Sequence, residues 1–124
     1  MADLRILIDG HATTATWLDR NPETRQAIEA ALPVTGDAAR WGDELYFRTG
    51  IDVPAEDATE TVPEGTVAYW PEGNAICLFW GPTPASQGDE PRAASAVNPV
   101  ARLADVSVFE GLSGGAHVEL TAVE

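Results

Sequence analysis

The chain contains no lysine and only one cysteine, and the shortage of basic residues excludes two classes of partner. Its 124 residues include 20 acidic side chains and seven arginines, which gives a net charge of -13. A surface this negative repels phosphate backbones and anionic lipid unless a local basic patch overcomes the repulsion. The arginines are spread along the chain and form no such patch. We therefore expect binding neither to nucleic acid nor to a membrane surface.

The lone cysteine and the absence of long apolar runs bear on the compartment. Cys77 cannot form an internal disulfide, which agrees with a reducing environment. It lies in the apolar run from Ala75 to Trp80, so a buried structural role is favoured over that of a nucleophile. No run approaches the length of a membrane span, and no basic-then-apolar segment precedes a cleavage site. These features predict a cytoplasmic protein.

The excess of negative charge also predicts a halophilic protein, adapted to a high-salt cytoplasm. Self-repulsion destabilises the compact state in dilute buffer, and salt relieves it because the screening length falls from about 10 Å at 0.1 M to about 3 Å at 1 M. The alternative is an ordinary acidic cytosolic protein, whose stability would not depend on salt.

The length fits a single domain over residues 1–124, and the distribution of branched residues predicts a mainly β chain. One main helix is expected from Pro22 to Leu32, with Asn21 as its cap and Pro33 as its stop. A short helical turn is expected near Ser107. The expected strands are Leu4 to Ile8, Thr13 to Leu18, Glu44 to Thr49, Thr66 to Trp70, Ala75 to Trp80, Val97 to Leu103 and Ala116 to Val123, with an eighth within Val34 to Arg40. So many strands in so short a chain close on themselves or form a sandwich.

Proline and glycine mark the connections. Residues 52–64 and 81–96 are predicted to be long loops. Between Trp70 and Ala75, Pro71 suits a type I turn and Gly73 suits the left-handed position that closes a hairpin. The segment Gly81-Pro82-Thr83-Pro84 fixes the backbone where the most apolar strand ends, either as the rigid rim of a binding site or only as a strand stop.

Seven of the nine aromatic residues lie between positions 41 and 80. Three predicted strands each carry two adjacent rings, at positions 46 and 47, 69 and 70, and 79 and 80. Neighbouring strand residues point to opposite faces, so one ring of each pair faces the core and the other faces outward. The outward set either is covered by the helix or a loop, or forms the floor of a ligand groove.

Motifs for metal or covalent chemistry are missing from the sequence. The acidic pairs Asp43-Glu44 and Asp89-Glu90 point apart if they lie on strands. His11 and His117 have no second histidine at ligand spacing, and no Ser/His/Asp signature or phosphate-binding glycine loop occurs. We therefore expect no metal and no cofactor.

Three stretches carry a resemblance over essentially the whole chain: RWGDELYF at 40–47, GTVAYWPEGNAICLFWGPTP at 65–84 and ASAVNPVAR at 94–102. In order, spacing and total length they resemble the small prokaryotic cyclophilin-like proteins, long described as a domain of unknown function. The resemblance implies a closed, mostly antiparallel, eight-stranded β-barrel with a helix packed at its mouth.

The same resemblance says less about activity. Cyclophilins proper isomerise X-Pro peptide bonds, using an apolar pocket for the proline ring and an arginine near the imide nitrogen. The Phe-His-Arg segment usual in those enzymes has no counterpart here, and neither has a Gly-Ser-Gln-Phe-Phe stretch. By strand position alone, Phe79 is a candidate for the pocket and Arg102 or Arg48 for the catalytic donor.

Three hypotheses follow. The leading one is a cyclophilin-like barrel of unknown specificity that binds a small molecule or a proline-containing peptide without the usual catalytic arginine. Its candidate contacts are Glu44, Tyr46, Tyr69, Trp70, Phe79, Thr83, Asn98 and Arg102. The alternatives are a peptidyl-prolyl isomerase with an altered active site and a scaffold protein whose aromatic face pairs with itself in a homo-oligomer. The binding hypothesis requires an unfilled, ring-lined hollow near the rim of the barrel.

Overall fold

A computed structural model describes residues 2–123, and over that range the chain is mainly β with one α-helix and one 3-10 turn. The strands are β1 Leu4–Ile8, β2 His11–Trp17, β3 Val34–Arg40, β4 Glu44–Arg48, β5 Thr59–Thr61, β6 Thr66–Trp70, β7 Ala75–Phe79, β8 Arg92–Leu103 and β9 Ala116–Ala122. The helix α1 is Pro22–Ala31, and the 3-10 turn is Ser107–Phe109. These elements confirm the expected mainly β chain with one main helix and a helical turn near Ser107.

Eight strands form a ring, and β5 lies outside it. The ring runs β2-β1-β9-β3-β4-β7-β6-β8 with every pairing antiparallel, and it closes where Ala15 of β2 pairs with Leu103 of β8. The short strand β5 pairs with β8, with a shift in register between Thr59 and Thr61. Ring closure leaves β5 to cover only the outer surface of its neighbours.

The inside of the ring is filled by side chains from all eight of its strands. Leu4, Leu45, Ile76, Leu78 and Leu120 are among its fully buried members. Partly buried side chains pack against the margin of this cluster, among them Trp17, Leu32, Val53, Trp80 and Leu112. This inner cluster is the packed core of the ring.

A second, smaller cluster lies on the outer face of β6, β7 and β8. Its members are Val62, Ala68, Cys77, Phe79, Ala93 and Val97, with Tyr46 and Trp70 packed against them. Alternate residues of the same strands therefore serve two clusters on opposite faces of one sheet.

The helix α1 begins at Pro22 as predicted, but the side chain of Asn21 does not cap it. Asn21 adopts a left-handed conformation with φ of 52° and makes no side-chain cap. Its side chain instead accepts a 2.6 Å hydrogen bond from the amide of Asp57 and donates to the carbonyl oxygen of Pro99 at 2.8 Å. The carboxylate of Glu56 takes the capping role, since it accepts from the amide of Thr24 at 3.1 Å. Glu56 lies 35 positions after Asn21 in the chain, so no local pattern marks it as the cap, and the sequence indicated Asn21 instead.

Other boundaries shift by a few residues. The first turn lies at Asp9 and Gly10, both with positive φ, so β2 begins at His11. In the turn after Trp70, the left-handed residue is Asn74 and not Gly73. The loop predicted at 81–96 ends early because β8 begins at Arg92, and the loop predicted at 52–64 contains β5. Alanine and glutamate are depleted in strands, so the alanine-rich start of β8 and the acidic residue within β5 gave little strand signal.

Candidate functional site

The candidate site is built on the outer face of β4, β6 and β7, where the register aligns three rows of side chains. Tyr46 lies opposite Cys77, which in turn lies opposite Ala68. One step along the sheet, Glu44 lies opposite Phe79. Directly opposed residues of antiparallel strands share a face, so a carboxyl group, a thiol and aromatic rings occupy one surface.

A pocket of about 240 Å³ opens on this surface. Its lining residues are Trp41, Glu44, Tyr46, Trp70, Cys77, Ala93, Ala94 and Val97. Three of these are aromatic and three are small aliphatic residues, so the walls are apolar and the polar groups are few. The volume lies below the range of about 300 to 1,000 Å³ of drug-sized sites, and it suits a small molecule or a single side chain.

Two walls of the pocket are rings set at right angles. Tyr46 and Trp70 have centroids 6.3 Å apart and an interplanar angle of 83°, a favourable edge-to-face arrangement. The indole Nε1 of Trp70 donates to Ser95 Oγ at 2.6 Å, and a Cβ added to Gly73 would lie 2.3 Å from the Trp70 ring. Gly73 is therefore needed for close approach, because the Trp70 ring lies directly over its backbone.

The third ring, Trp41, is held by the turn between β3 and β4. The amide of Trp41 donates to the carbonyl oxygen of Glu44 at 2.9 Å. Gly42 has a φ of 62°, and a Cβ there would lie 2.8 Å from the Cα of Thr83 and 2.9 Å from Pro84. The Gly81-Pro82-Thr83-Pro84 segment thus packs against this turn and supports the wall that carries Trp41.

Glu44 is the charged group of the pocket and is only 5% exposed. Burial raises its pKa to about 7, and a hydrogen bond from the Cys77 thiol acts in the opposite direction. Near neutral pH the carboxyl group is therefore poised between its neutral and ionised forms. Its neighbour Asp43 is paired with Arg40 at 3.1 Å, so Arg40 is engaged beside the site.

Cys77 lies beside Glu44 and is buried. Burial raises the pKa of its thiol well above the usual value, and the nearby Glu44 charge adds to the rise. The thiol form is therefore maintained, and a thiol of this kind is a poor nucleophile. Cys77 contributes shape and one hydrogen bond to the pocket.

The structure brings Glu44, Tyr46 and Trp70 of the predicted site together and places Tyr69 on the opposite face. Tyr69 is fully buried in the inner cluster. Its hydroxyl donates to the carbonyl oxygen of Ile51 at 2.6 Å and so fixes the segment after β4.

Asn98 also lies apart from the pocket. Its Oδ1 accepts from the amide of Glu56 at 2.9 Å, and its Nδ2 donates to Thr24 Oγ1 at 3.0 Å and to the Pro54 carbonyl oxygen at 3.1 Å. These three bonds join β8 to α1 and to the 52–64 segment, and they use most of the hydrogen-bonding capacity of the amide.

Phe79 and Thr83 lie next to the site but do not line the pocket. Phe79 is fully buried in the outer cluster and supports the floor without lining the pocket. The hydroxyl of Thr83 donates to the carbonyl oxygen of Arg92, the residue before the Ala93 and Ala94 wall. Thr83 therefore joins the Pro-rich segment to the start of β8.

Neither candidate donor reaches the pocket. Arg48 is exposed and borders a separate depression with Pro33 and Gly50. Arg102 is exposed on the part of β8 that pairs with Thr66. Among the residues that line the pocket there is no arginine.

Five lining residues were missing from the predicted site: Trp41, Cys77, Ala93, Ala94 and Val97. Strand alternation carries the signal for Cys77, which shares a face with Phe79. The alanines follow Arg92 in a segment that resembled a loop, and Trp41 lies in a turn where alternation gives no direction.

The sequence profile of the cyclophilin-like family matches residues 2–121. The chain belongs to the cyclophilin-like family. A hypothetical protein from Archaeoglobus fulgidus, known from its solution structure, is 38% identical, with a TM-score of 0.81 over 98% of this chain and 95% of that one. The family resemblance seen in the three sequence stretches is thereby confirmed. No curated protein shows significant similarity to the chain.

Two further observations concern residues 2–123 of this cyclophilin-like chain. No group of three or more His, Cys, Asp or Glu side chains is placed to hold a metal ion. No helix in that range is long and apolar enough to cross a membrane.

Proposed function

We propose that this cyclophilin-like barrel is a binding protein that takes a small molecule into the outer-face pocket. The observation that carries the proposal is an apolar pocket with three aromatic walls and a single buried carboxyl group at its floor. Concave, mostly apolar sites with a few placed polar groups are the common form of a ligand site. Over residues 2–123, Val123 is the one large apolar side chain that is largely exposed, and three half-buried rings meet at this pocket.

Protein-detected NMR tests the proposal. A library of small aromatic and aliphatic compounds is expected to include binders that shift the indole N–H signal of Trp70, which is held by Ser95. Trp70→Ala is expected to abolish this binding. The matched control is Trp17→Ala, since Trp17 lies on β2 outside the pocket. Binding that survives Trp70→Ala, or a library without any binder at the pocket, would contradict the proposal.

Prolyl isomerisation remains the alternative activity, and the pocket supports it less well because no arginine lines it. In a chymotrypsin-coupled assay on a proline peptide at high salt, we expect no acceleration. Acceleration that both Trp70→Ala and Phe79→Ala abolish would replace the binding proposal with an isomerase. Self-assembly through the aromatic face is judged by light scattering, where a monomer at all salt concentrations is expected.

The net charge of -13 supports the further proposal that the protein works in a high-salt cytoplasm. Self-repulsion should lower the melting temperature in dilute buffer, and screening should raise it. A melting series in KCl from about 0.1 to 3 M is expected to show a rising midpoint. A midpoint that stays constant would indicate an ordinary acidic protein.

A further inference from the structure

The pocket contains a carboxyl group without a counter-ion. Glu44 is 5% exposed, and its side-chain partner is the neutral thiol of Cys77. The arginines next to two lining residues, Trp41 and Ala93, are already in ion pairs: Arg40 with Asp43, and Arg92 with Glu90 and Glu60. No cationic side chain lines the pocket. A carboxylate buried among apolar groups either remains protonated or is stabilised by a cation from elsewhere.

The walls around Glu44 suit a particular kind of cation. Three rings reach the pocket from three elements: Trp41 from the β3–β4 turn, Tyr46 from β4 and Trp70 from β6. Ring faces are electron-rich and attract organic cations, and cages of such rings recognise alkylated ammonium groups. Tyr46 and Trp70 stand at 83° to each other and form a corner. A metal ion would find only one carboxylate here, whereas alkyl groups on nitrogen would find contacts on every wall.

The remaining properties of the protein favour the same charge. The net charge of -13 attracts cations to the surface and repels anionic ligands. The small side chains of Ala93, Ala94 and Val97 leave a volume of about 240 Å³, which suits a compact headgroup. Neutral compounds would gain contact with the rings but leave the carboxyl group without a charged partner.

We propose, resting on the binding function above, that the ligand is a small organic cation with an alkylated ammonium group. Its charge contacts Glu44 and its alkyl groups contact the rings of Trp41, Tyr46 and Trp70. The ligand class is thus a quaternary or tertiary ammonium compound.

The cation requires the ionised form of Glu44, so its affinity should depend on pH. Besides Glu44, the titratable side chains that line the pocket are Cys77 of β7 and Tyr46 of β4, and the lining residues from β6 and β8 are not titratable. In the turn, Asp43 lies outside the lining and is paired with Arg40. The pKa of Glu44 is raised to about 7 by burial. The ionised fraction rises about tenfold between pH 6 and pH 8 for such a group, and the affinity for a permanent cation should rise by the same factor.

Choline and its neutral isostere 3,3-dimethyl-1-butanol form a matched pair of probes with nearly the same shape. Both are titrated into the intact protein by tryptophan fluorescence and calorimetry in 1 M KCl, where nonspecific attraction by the surface is screened. We expect choline to bind at least tenfold more tightly than the alcohol, and about tenfold more tightly at pH 8 than at pH 6. Affinity for the alcohol should not change with pH in that direction.

Glu44→Gln keeps the shape of the side chain and removes its charge. We expect it to weaken choline binding at least tenfold, to abolish the pH dependence and to leave alcohol binding intact. Glu110→Gln is the control, since Glu110 is exposed and its substitution changes the net charge by the same amount. Retained alcohol binding, or an unchanged melting temperature, verifies that Glu44→Gln is folded.

The two proposals fail in different ways. Equal, pH-independent binding of choline and the alcohol would overturn the cation proposal and leave a binding pocket for apolar compounds. Binding of neither probe would also overturn it, while the NMR library decides the binding function separately. Equal loss of choline affinity in Glu44→Gln and Glu110→Gln would assign the effect to net charge and not to the pocket.

Discussion

The strands β4, β6 and β7 contribute to the core on one face and to the pocket on the other, because successive side chains of a strand point to opposite faces. On the inner face, all eight strands of the ring meet and their side chains fill the space. On the outer face, the cluster is smaller, and the pocket opens beside it between Tyr46 and Trp70. The inner face therefore becomes a stabilising core, and the outer face retains a pocket. Ring closure decides which side is filled, because it surrounds one face and leaves the other partly open.

This contrast predicts that neighbouring residues on β7 respond differently to truncation. Leu78 is fully buried in the inner cluster, whereas Cys77 faces the pocket. Leu78→Ala is expected to lower the free energy of unfolding by about 3 kcal/mol, through lost transfer energy and a new cavity. Cys77→Ala should cost about 1 kcal/mol, since it removes a small group beside existing space. Denaturant unfolding at constant high salt measures both, and equal losses would show that the outer face is packed as completely as the inner one.

The second prediction concerns the charge that the outer face buries. Between pH about 4.5 and about 7, the folded state keeps a proton on Glu44 that the unfolded chain has released. Stability contributed by this group is therefore present at low pH and is lost as pH rises through this window, by at most about 3 kcal/mol.

The pH dependence is isolated by comparing the protein with Glu44→Gln. The difference in unfolding free energy between the two should change in favour of the variant from pH 4.5 to 7 and be constant above about pH 8. The comparison is needed because hydrogen bonds lower the pKa of Asp105 and Glu90. The stability that these two groups contribute to the fold is lost as pH falls, in both proteins alike. A difference that does not vary with pH would mean that Glu44 is solvated.

The smallest expected effect tests how the outer wall is positioned. Gly73→Ala places a methyl group where the Trp70 ring lies, 2.3 Å from the nearest ring carbon. The ring must move, and we expect a loss of about 1 kcal/mol in stability with a shift of the Trp70 indole signal away from its position against Ser95. Gly50→Ala is the control, since a Cβ there meets nothing within 4 Å. A Gly73→Ala spectrum identical to the parent would mean that the wall is not held by this contact.

Much of this arrangement could be predicted from residue patterns. Branched residues placed most strands, and alternation predicted that the adjacent rings Tyr46 and Phe47 face opposite ways. The same rule separates Tyr69 from Trp70, although both were named as walls of one site. Only one of two adjacent strand residues can line a given face, and the structure assigns Trp70 to the pocket and Tyr69 to the core.

Contacts between distant residues were beyond sequence reasoning. Glu56 caps α1 and Asn98 joins three segments because the ring brings them together, and neither residue has a local pattern that indicates this. The Ala93 and Ala94 wall was missed for a related reason, since alanine has little preference for strands and its place in β8 comes from pairing with β5.

The sequence by itself determined the charge, the family and the alternation of side chains, because these depend on composition and on the period of a strand. Only the tertiary structure decided which face was filled and which kept a pocket. That outcome depends on ring closure and on the packing of the Gly81 to Pro84 segment against the turn at Gly42. Both are contacts between residues far apart in the chain, and the position of Glu44 at the floor of an aromatic pocket results from them.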